Sequence, residues 1–398
     1  MDECHPPGSE LRTHRHAGRH YPTAATVSGH MRRLPLLAAA ALVACLLAPA
    51  PAPAARNVPP GFFGVMTDGI LLQRSDEQLT HEFDLMKADG VETIRPVVLW
   101  ADMQPERGGA VDFGQTDRIF AQAATHGMHV VPVVLRVPSW ARIVAGNFAS
   151  PPKDPKTYGA FLAALIGRYG PGGTFWADNP SLPVRPQRDW EVWNEPNLNR
   201  YWSSPIPFAK GFVALMKVAH DAIKQADPGG RVILAAFGND SWRALRKAYA
   251  AGLRGSMFDV AALHPFSGRL SNVLKIIRLN HDVFAQHGDG GKPEWITEIT
   301  WPSALGKTKN TTGFETTESG QASRLTAAFR AFVRIRSQDH LLGAIWSTWL
   351  TEDRGSANSF DWSGLRKLNP SDPGGEPIDK PALKAYRAVA LPLEGRAR

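Results

Sequence analysis

The stretch DWEVWNEPNLNRYW, residues 189–202, contains the end of a predicted buried strand. The run from Trp190 to Glu195 combines aromatic, β-branched and acidic residues and is typical of a β-strand. It stops at Asn194-Glu195-Pro196, and a proline cannot continue the hydrogen-bond ladder of a strand. A carboxylate that closes an otherwise apolar strand indicates that the strand end faces a functional surface.

Seven further strands are predicted along the chain, with amphipathic helical stretches between them. Such alternation is the pattern of a parallel sheet. The eight predicted strands cover residues 62–67, 93–100, 129–136, 190–195, 231–238, 260–266, 294–301 and 343–350. The eight predicted helices lie near residues 75–89, 114–126, 155–169, 207–226, 241–252, 270–287, 319–336 and 381–390. This order predicts an α/β protein built on a single (β/α)8 TIM barrel.

Other α/β folds are disfavoured by the residues around the first strand. The segment FFGVMTDGI, residues 62–70, contains no G-x-G-x-x-G phosphate loop, so a dinucleotide-binding fold is not expected. The glycine clusters at 170–173 and 288–291 lie between helix ends and strands and are interpreted as turns. The chain also lacks a zincin-type histidine motif and a G-x-S-x-G elbow. We therefore predict no metal and no cofactor.

The first 55 residues predict a leader that precedes the barrel. Residues 1–30 are polar and hold five of the thirteen histidines. Met31 opens a basic pair, followed by the apolar run LPLLAAAALVACLLA at 34–48 and by small residues, which is the pattern of a signal peptide. We expect Met31 to be the true start, cleavage within 50–55, and a secreted catalytic domain at 56–398.

The apolar run is too short for a stable membrane span. The segment LVAC, residues 42–45, resembles a bacterial lipoprotein box, so a lipid anchor on Cys45 is the alternative to free secretion. The two cysteines, Cys4 and Cys45, both precede the predicted domain. No disulfide and no thiol nucleophile is therefore expected within it.

The net charge of +8 gives little indication of a partner. Residues 1–33 carry five arginines and three acidic residues, which leaves +6 for the rest of the chain. Runs of lysine and arginine with interleaved aromatic residues are missing, so nucleic-acid binding is not predicted.

Four predicted strands carry polar residues near their carboxyl ends, where barrel enzymes place their reactive groups. Glu195 ends the fourth strand and Glu298 lies on the seventh, while Arg95 lies on the second and His264 on the sixth. Two carboxylates at one barrel mouth fit the needs of glycoside hydrolysis. An arginine beside one keeps it ionised, and an apolar setting raises the pKa of the other.

These residues resemble the pattern of the clan A retaining glycoside hydrolases. The motif Trp193-Asn194-Glu195-Pro196 at the end of the fourth strand, with Glu298 on the seventh, is similar to family 39 or to a cellulase-like family 5 relative. The resemblance covers roughly residues 60–390. It includes the segments RPVVLWADMQPERGGAVDF at 95–113 and VPSWA at 137–141.

The resemblance implies a role for each of these residues. Glu195 would be the acid/base and Glu298 the nucleophile, with retention of anomeric configuration. Asn194 would bind the sugar 2-hydroxyl, Arg95 would keep the nucleophile charged, and His264 would line the −1 subsite.

One position departs from the family pattern. A tyrosine commonly follows the strand-6 histidine by two residues, and its hydroxyl steadies the nucleophile. Here the position is Phe266, which has no hydroxyl. This difference puts the exact family in doubt and leaves the two carboxylates unaffected.

Tryptophans at or beyond strand ends are candidates for stacking on sugar rings, although aromatic residues also pack well in cores. On the eighth strand Trp346 and Trp349 differ in parity, so a regular strand cannot point both inward, and Trp349 is preferred as nearer the reactive end. The candidate tryptophans for substrate binding are Trp140, Trp202, Trp301 and Trp349.

Two other glutamates compete with the predicted pair. Glu191 lies deeper on the fourth strand, where a structural ion pair is expected, and Glu294 lies at the opposite end of the seventh. The predicted substrate is a glycoside, an oligosaccharide or a polysaccharide. A catalytically silent carbohydrate-binding barrel and a clan A enzyme of another family, such as an endoglucanase, are the alternatives. The sugar, the linkage and the oligomeric state stay open.

Overall fold

The computed structural model of this chain describes residues 55–67 and 69–396, which all belong to the compact unit Pro53–Arg398. Eight parallel strands form a closed barrel, because the first strand pairs with both the second and the last. The third strand is in two segments on either side of Pro132, which lacks an N–H group. The strands are β1 (Phe63–Thr67), β2 (Thr93–Leu99), β3 (His129–Val130 and Val133–Leu135), β4 (Asp189–Val192), β5 (Arg231–Leu234), β6 (Val260–Leu263), β7 (Glu294–Ile299) and β8 (Leu341–Trp346). The predicted (β/α)8 barrel is confirmed.

All eight predicted helices are present, and their bounds lie within about three residues of the predicted ones. They are Asp76–Ala88, Gly114–His126, Pro155–Tyr169, Phe208–Ala226, Ser241–Ala250, Leu270–Gln286, Glu318–Ile335 and Pro381–Leu393. Short helices that were not predicted are Gly69–Leu72, Trp100–Met103 and Thr174–Asp178, with 3-10 turns at Ser139–Ala141, Gly255–Met257 and Ser359–Trp362. None of the helices in the described part of the chain is long and apolar enough to cross a membrane.

Capping side chains explain why the helix bounds were predictable. Ser75 accepts a hydrogen bond from the Gln78 N–H, and the Gln78 side chain accepts from the Ser75 N–H, which forms a capping box. Asp154 caps the helix Pro155–Tyr169 in a similar way. Gly127 ends the helix Gly114–His126 in the left-handed region, with φ of 70°.

Apolar side chains form two separate clusters. The larger one lies between the strands and the helix layer. The smaller one consists of residues of the barrel strands and the positions next to them, as expected for side chains that fill a barrel interior. Its members are Val131, Ile233, Ala236, Val260, Ala262, Trp295 and Ile345, with Met66 and Leu342 packed against them.

The carboxyl ends of several strands are shorter than predicted. β4 ends at Val192 instead of Glu195, β5 at Leu234 instead of 238, and β8 at Trp346 instead of 350. Beyond β3 and β4, residues Arg136 and Trp193 have positive φ angles of 62° and 72°, which takes the chain out of the extended region. The residues just beyond these strands are of types that favour a strand, but their backbone turns at the carboxyl end of the barrel.

The segment after β8 was predicted as a loop, and it forms a small sheet. Its strands are Leu350–Thr351, Arg366–Lys367 and Ile378–Asp379. Strands of two residues give no readable alternation in a sequence. The signal peptide, the start at Met31 and the lipid site at Cys45 lie outside the described residues and stay predictions.

Candidate active site

Glu195 lies in a sharp turn at the carboxyl end of the barrel. Trp193 and Glu195 both have positive φ, 72° and 39°. This conformation is unfavourable for residues other than glycine and recurs at functional sites. The Glu195 N–H donates to the Ala236 carbonyl just after β5 (3.0 Å), which fixes the turn to the neighbouring strand.

Gly238 leaves room for the Glu195 carboxyl group. A Cβ atom at this glycine would lie 3.0 Å from the Glu195 Cδ atom and 2.6 Å from a methyl carbon of Leu198. Asn197 fixes the glycine, because its Nδ2 donates to the Gly238 carbonyl (2.7 Å) and its Oδ1 accepts from the Gly238 N–H (2.9 Å). The loops after β4 and β5 are thereby joined beside Glu195.

Arg95, on β2, is fully buried and connects two acidic side chains. Its Nε and Nη2 donate to the two carboxylate oxygens of Glu191 at 2.6 and 3.0 Å, and its Nη1 donates to Glu298 Oε1 at 2.7 Å. Burial lowers the pKa of Arg95, but the charges of Glu191 and Glu298 outweigh burial and hold it above the usual range. The guanidinium therefore stabilises negative charge on Glu298.

These contacts bear on two expectations. The predicted ion pair of Glu191 is confirmed, since Glu191 and Arg95 are both completely buried. Arg95 is fully enclosed by protein groups, so it can reach a ligand only through the side chains that it holds, such as Glu298.

Glu298 keeps one oxygen free. Within the described residues only Oε1 makes a hydrogen bond, and the side chain is 13% exposed near the carboxyl end of β7. A carboxylate with one oxygen held by a cation and the other open is suited to attack an electrophilic carbon.

His264, after β6, lies between the two glutamates and is buried. Its Nδ1 donates to Glu195 Oε1 (3.1 Å), a direction assigned because a carboxylate only accepts. Its Nε2 lies 3.0 Å from Thr297 Oγ1 and 3.7 Å from Glu298 Oε1. One imidazole ring thus contacts both carboxyl groups.

Asn194 is oriented by Arg95. Its Oδ1 accepts from Arg95 Nη2 (3.0 Å), and since a guanidinium only donates, the Nδ2 group points away from Arg95. In the described part of the chain Nδ2 has no protein acceptor, so it is a donor that a ligand could use, and the predicted contact with a sugar hydroxyl stays a prediction.

Arg200 holds the second oxygen of Glu195. Its Nη2 donates to Glu195 Oε2 at 2.9 Å, and its side chain is 55% exposed, against 3% for Glu195. Burial raises the pKa of Glu195, but the hydrogen bonds and charges of His264 and Arg200 outweigh burial, so the pKa lies below its usual range. In this state both oxygens of Glu195 accept hydrogen bonds and neither carries a proton.

Phe266 belongs to a cluster of three phenylalanine rings beside the site. Its ring meets the His264 ring edge-on at 5.9 Å, stacks on Phe314 at 5.7 Å and meets Phe360 edge-on at 5.4 Å. It supplies an apolar wall and no hydroxyl.

Tyr201 follows Arg200 on the loop after β4. The Arg200 guanidinium lies over the Tyr201 ring at 5.0 Å. Burial first, and then the negative charges of Glu195 and Glu298, raise the pKa of Tyr201 above its usual range, so its hydroxyl stays protonated.

Trp140 remains a candidate for contact with a ligand. It is half-buried in the 3-10 turn Ser139–Ala141 after β3. Its Nε1 donates to the Gln104 carbonyl (3.1 Å) and its ring meets Trp100 edge-on at 5.6 Å. The Arg107 guanidinium lies over its ring at 5.7 Å.

The other three predicted tryptophans are buried in the core, and their predicted contact with substrate is corrected. β8 ends before Trp349, so the alternation of strand side chains does not decide where Trp349 points. Its indole N–H donates to Glu82 of the helix Asp76–Ala88 (2.7 Å). Trp301 is fully buried and donates to the Ser267 carbonyl (2.7 Å). Trp202 packs its ring edge-on against Trp193 at 5.3 Å.

A cavity of about 750 Å³ lies at the other end of the barrel. It is lined by residues at the amino ends of strands, among them Glu92, His129, Asp189 and Arg231. Barrels carry reactive groups at the carboxyl ends of their strands. We therefore assign the candidate site to the carboxylate pair. Within residues 55–67 and 69–396 no group of three or more metal-type ligands occurs.

Two contributors were not predicted. Arg200 lies five residues beyond Glu195, on the loop after β4. Its position just after a strand end was the signal that could have indicated a contact with the site. Thr297, next to Glu298 on β7, contacts both His264 and Glu191. Threonine is so common in strands that its presence gave no signal.

Comparison with known proteins adds information on the fold. No protein-family model matches the sequence, and no curated protein sequence matches it. A family 39 glycoside hydrolase from the gut symbiont Bacteroides cellulosilyticus WH2 is similar in structure, with a TM-score of 0.59 and 19% identity over 85% of this chain and 64% of that one. This chain thus spans less than two thirds of that protein's length.

Two further solved structures are similar at the same level. A family 39 β-xylosidase from Caulobacter crescentus has a TM-score of 0.57 and 20% identity over 84% of this chain and 72% of that one. A GH5_18 protein from Streptomyces cattleya has a TM-score of 0.60 and 17% identity over 83% of this chain and 80% of that one. These structures come from families 39 and 5, the two that the Asn-Glu-Pro motif resembles. At these identities the comparison establishes the fold, a (β/α)8 barrel similar to those of clan A glycoside hydrolases.

Proposed function

We propose that this chain is a secreted retaining glycoside hydrolase in which Glu298 is the nucleophile and Glu195 the acid/base. One observation carries the proposal: a single buried histidine contacts both carboxyl groups while Arg95 holds one oxygen of Glu298. Retaining enzymes need their two carboxyl groups about 5–5.5 Å apart, and contact with the same imidazole ring fits that need. The fold similarity supports a carbohydrate substrate.

In the first step the free oxygen of Glu298 attacks the anomeric carbon. The bond between that carbon and the leaving-group oxygen breaks, and the oxygen takes a proton from Glu195. The products are a glycosyl ester on Glu298 and the released alcohol. Asn194 Nδ2 is placed to donate to a hydroxyl of the bound sugar during this step.

In the second step water replaces the leaving group. Glu195, now ionised, takes a proton from the water, whose oxygen attacks the anomeric carbon and displaces the Glu298 carboxylate. His264 and Arg200 both favour the ionised form of Glu195 that this step requires. Two displacements at one carbon give net retention.

Glycoside hydrolysis and its dependence on the two glutamates can be measured together. The wild type is assayed on aryl glycosides and polysaccharides, and the products are followed by NMR to read the anomeric configuration. We expect Glu195→Gln and Glu298→Gln each to lose roughly 10²–10⁴-fold in kcat. Glu352→Gln, which changes an exposed carboxylate of the mouth loops, is the matched control and should keep full activity.

Two results would contradict the proposal. Inverted products would exclude double displacement, and full activity of Glu298→Gln would exclude the assigned nucleophile. Binding of glycans without hydrolysis of any of them would favour a catalytically silent carbohydrate-binding barrel.

Secretion rests on the signal-like pattern from Met31 onwards and is tested separately. Expression of the full chain in a bacterial host should release protein whose mature amino terminus lies within residues 50–55. Recovery in the membrane fraction with a lipid on Cys45 would identify an anchored protein, and an intact amino terminus in the cytosol would contradict secretion.

A further inference from the structure

Glu195 has one hydrogen-bond donor on each of its two oxygens. His264 Nδ1 donates to Oε1 (3.1 Å), and Arg200 Nη2 donates to Oε2 (2.9 Å). Each oxygen keeps a second lone pair, so both donors can remain in place while Glu195 gains or loses a proton. The Arg200 guanidinium is a permanent cation, and a hydrogen bond from a cation is stronger to a carboxylate than to a neutral carboxyl group. The contact therefore favours the ionised form of Glu195.

Two aromatic rings support the Arg200 guanidinium beside Glu195. It lies 5.0 Å from the centre of the Tyr201 ring and 6.0 Å from the centre of the Phe360 ring. Such contacts stabilise a cation over a ring. The Arg200 side chain is 55% exposed, whereas the side chain of Glu195 is 3% exposed. Solvent therefore screens the cation in part, while the carboxylate that it holds is shielded from water.

Charged and titratable groups approach Glu195 from several elements. They are Arg200 and Tyr201 on the loop after β4, His264 after β6, Glu298 on β7 and Arg95 on β2. Tyr201 is protonated and neutral. The Glu298 anion would oppose ionisation of Glu195, but its Oε1 is held by the Arg95 cation at 2.7 Å. The hydrogen bonds and charges of His264 and Arg200 outweigh burial and lower the pKa of Glu195.

We propose that Arg200 is a positioning residue that stays on Glu195 and keeps it ionised, so that at neutral pH the enzyme prefers glycosides of acidic aglycones, such as phenols. The inference rests on the proposed function and names the class of leaving group for the same site. An ionised Glu195 has no proton to give in the first step, and an alcohol leaving group needs that proton.

A phenol leaves without help from an acid. As Glu298 forms its bond to the anomeric carbon, the phenolate departs with the electron pair of the broken bond and takes a proton from water. An alcohol, including a hydroxyl of a second sugar, is too basic to leave in this way. Its departure requires the small fraction of Glu195 that is protonated, and this fraction grows as pH falls.

The experiment varies the leaving group on one sugar. The glycone that the wild type hydrolyses fastest is prepared as its dinitrophenyl, para-nitrophenyl, phenyl and methyl glycosides, in order of rising basicity of the leaving group. kcat/KM is measured from about pH 4 to about pH 9 for the wild type, Arg200→Gln, Arg200→Lys and Arg269→Gln. Arg269 is an exposed arginine after β6 whose side chain makes no hydrogen bond within the described residues, so it controls for loss of one charge.

For the wild type, kcat/KM on the phenyl and methyl glycosides should fall as pH rises to neutral, while the value on the dinitrophenyl glycoside stays constant. Loss of the cation raises the pKa of Glu195, so Arg200→Gln should shift this fall to higher pH. At about pH 7 its kcat/KM on the phenyl glycoside, relative to the dinitrophenyl glycoside, should exceed the wild-type ratio by roughly twofold to tenfold. Arg200→Lys keeps the charge and should stay closer to the wild type, and Arg269→Gln should match it.

Three results would overturn the inference and leave the proposed function standing. An unshifted pH profile of Arg200→Gln would mean that Arg200 does not control Glu195. A uniform loss on every glycoside at every pH would mean that Arg200 only holds its loop. Equal wild-type kcat/KM on the methyl and dinitrophenyl glycosides at neutral pH would exclude the preference for acidic aglycones. A wild type that hydrolyses no glycoside at any pH would instead contradict the proposed function, and this inference with it.

Discussion

Arg95 meets three polar side chains in a position that water cannot reach: Glu191, Asn194 and Glu298. Each contact has a different consequence. Glu191 balances the buried charge, Asn194 is held by its Oδ1 atom so that its Nδ2 group points away from Arg95, and one oxygen of Glu298 accepts from the guanidinium. One side chain therefore fixes the state of three others, two of which have roles in the proposed chemistry.

Replacement of Arg95 should lower stability and activity for two different reasons, which can be measured separately. Arg95→Met leaves Glu191 buried without a charged partner, with only the Thr297 hydroxyl beside it, and breaking a buried ion pair in this way costs about 3–5 kcal/mol. The double variant Arg95→Met/Glu191→Gln removes the unpaired charge and should recover part of the free energy of unfolding, measured with urea. Activity should stay absent in both, because Glu298 has lost its cation. A single variant as stable as the wild type would contradict this role.

Phe266 shows what the motif comparison could and could not predict. The family pattern places a hydroxyl after the strand-6 histidine, and here that position supplies an apolar ring. The comparison identified the missing group, whereas the packing of the Phe266 ring against Phe314 and Phe360 depends on how distant loops fold together.

At the level of elements, helices were predicted to within a few residues and strand ends were not. Caps such as Ser75 and Gly127 set helix bounds by local hydrogen bonds and backbone conformation that the residue type reveals. The residues after β4 still have strand-forming side chains, yet Trp193 adopts a positive φ. That choice depends on tertiary contacts of Glu195 with the neighbouring strand, which no local pattern contains.

Tertiary contacts also explain why the direction of the Trp349 side chain was not predicted. Alternation on the eighth strand predicted that Trp346 and Trp349 cannot both point inward, and Trp349 was preferred because it lies nearer the reactive end. The strand ends at Trp346, so alternation does not apply to Trp349. A residue beyond a strand end is oriented by its partners, here Glu82 on a helix far away in sequence. Arg95 and Glu298 could be predicted because they lie on regular strand positions, and Glu195 could be predicted because the Asn-Glu-Pro motif marks the end of its strand. The loop residue Arg200 could not.

β7 carries a second glutamate, Glu294, at the end opposite to Glu298. Glu294, at the amino end, is buried, accepts from His281 Nδ1 (2.8 Å) at Oε1, and its Oε2 has no partner among the described residues. Burial, and to a smaller extent the charge of Asp339, raise the pKa of Glu294 to about 9. In an unfolded chain a glutamate titrates near pH 4.3.

This difference predicts how stability changes with pH. Above about pH 4.3 the unfolded chain releases the proton while the folded chain keeps it, so the stability from this group is full below that pH and is lost as pH rises towards 9. Glu294→Gln removes the titration. Its free energy of unfolding in urea, relative to the wild type, should rise between pH 5 and pH 8. A constant difference across this range would contradict the raised pKa, and Glu352→Gln serves as the exposed control.

For the molecule as a whole, closure of the barrel depends on close approach of β1 and β8. A Cβ atom on Gly343 would lie 2.6 Å from the Phe62 carbonyl oxygen, which accepts the Ala344 N–H of the ladder at this seam. Closure of the barrel matters for the site, because it brings Arg95 on β2 and Glu298 on β7 together inside the barrel.

Gly343→Ala should therefore destabilise the fold, by about 1–3 kcal/mol as for other overpacked positions. Gly167→Ala is the matched control: it lies in the helix Pro155–Tyr169 with nothing within 4 Å of an added Cβ. Alanine there should stabilise the fold by about 0.5–1 kcal/mol. Urea unfolding measures both, and equal effects of the two substitutions would contradict the importance of the seam.

The barrel itself could be predicted from the alternation of elements, because that alternation repeats over the whole chain and tolerates local errors. Substrate preference belongs to the loops after β3, β4, β7 and β8, where single contacts decide the outcome. Those contacts join residues more than a hundred positions apart, as in the pair Arg200 and Phe360.

The proposed chemistry depends above all on a covalent bond between Glu298 and the sugar. That bond can be trapped with activated 2-deoxy-2-fluoro glycosides, which slow the second displacement, and located by peptide mass spectrometry. We expect one added fluoroglycosyl group on the peptide that contains Glu298, and none in Glu298→Gln. A label on Glu195 or Glu191, or inactivation of Glu298→Gln at the wild-type rate, would contradict the assignment of the nucleophile.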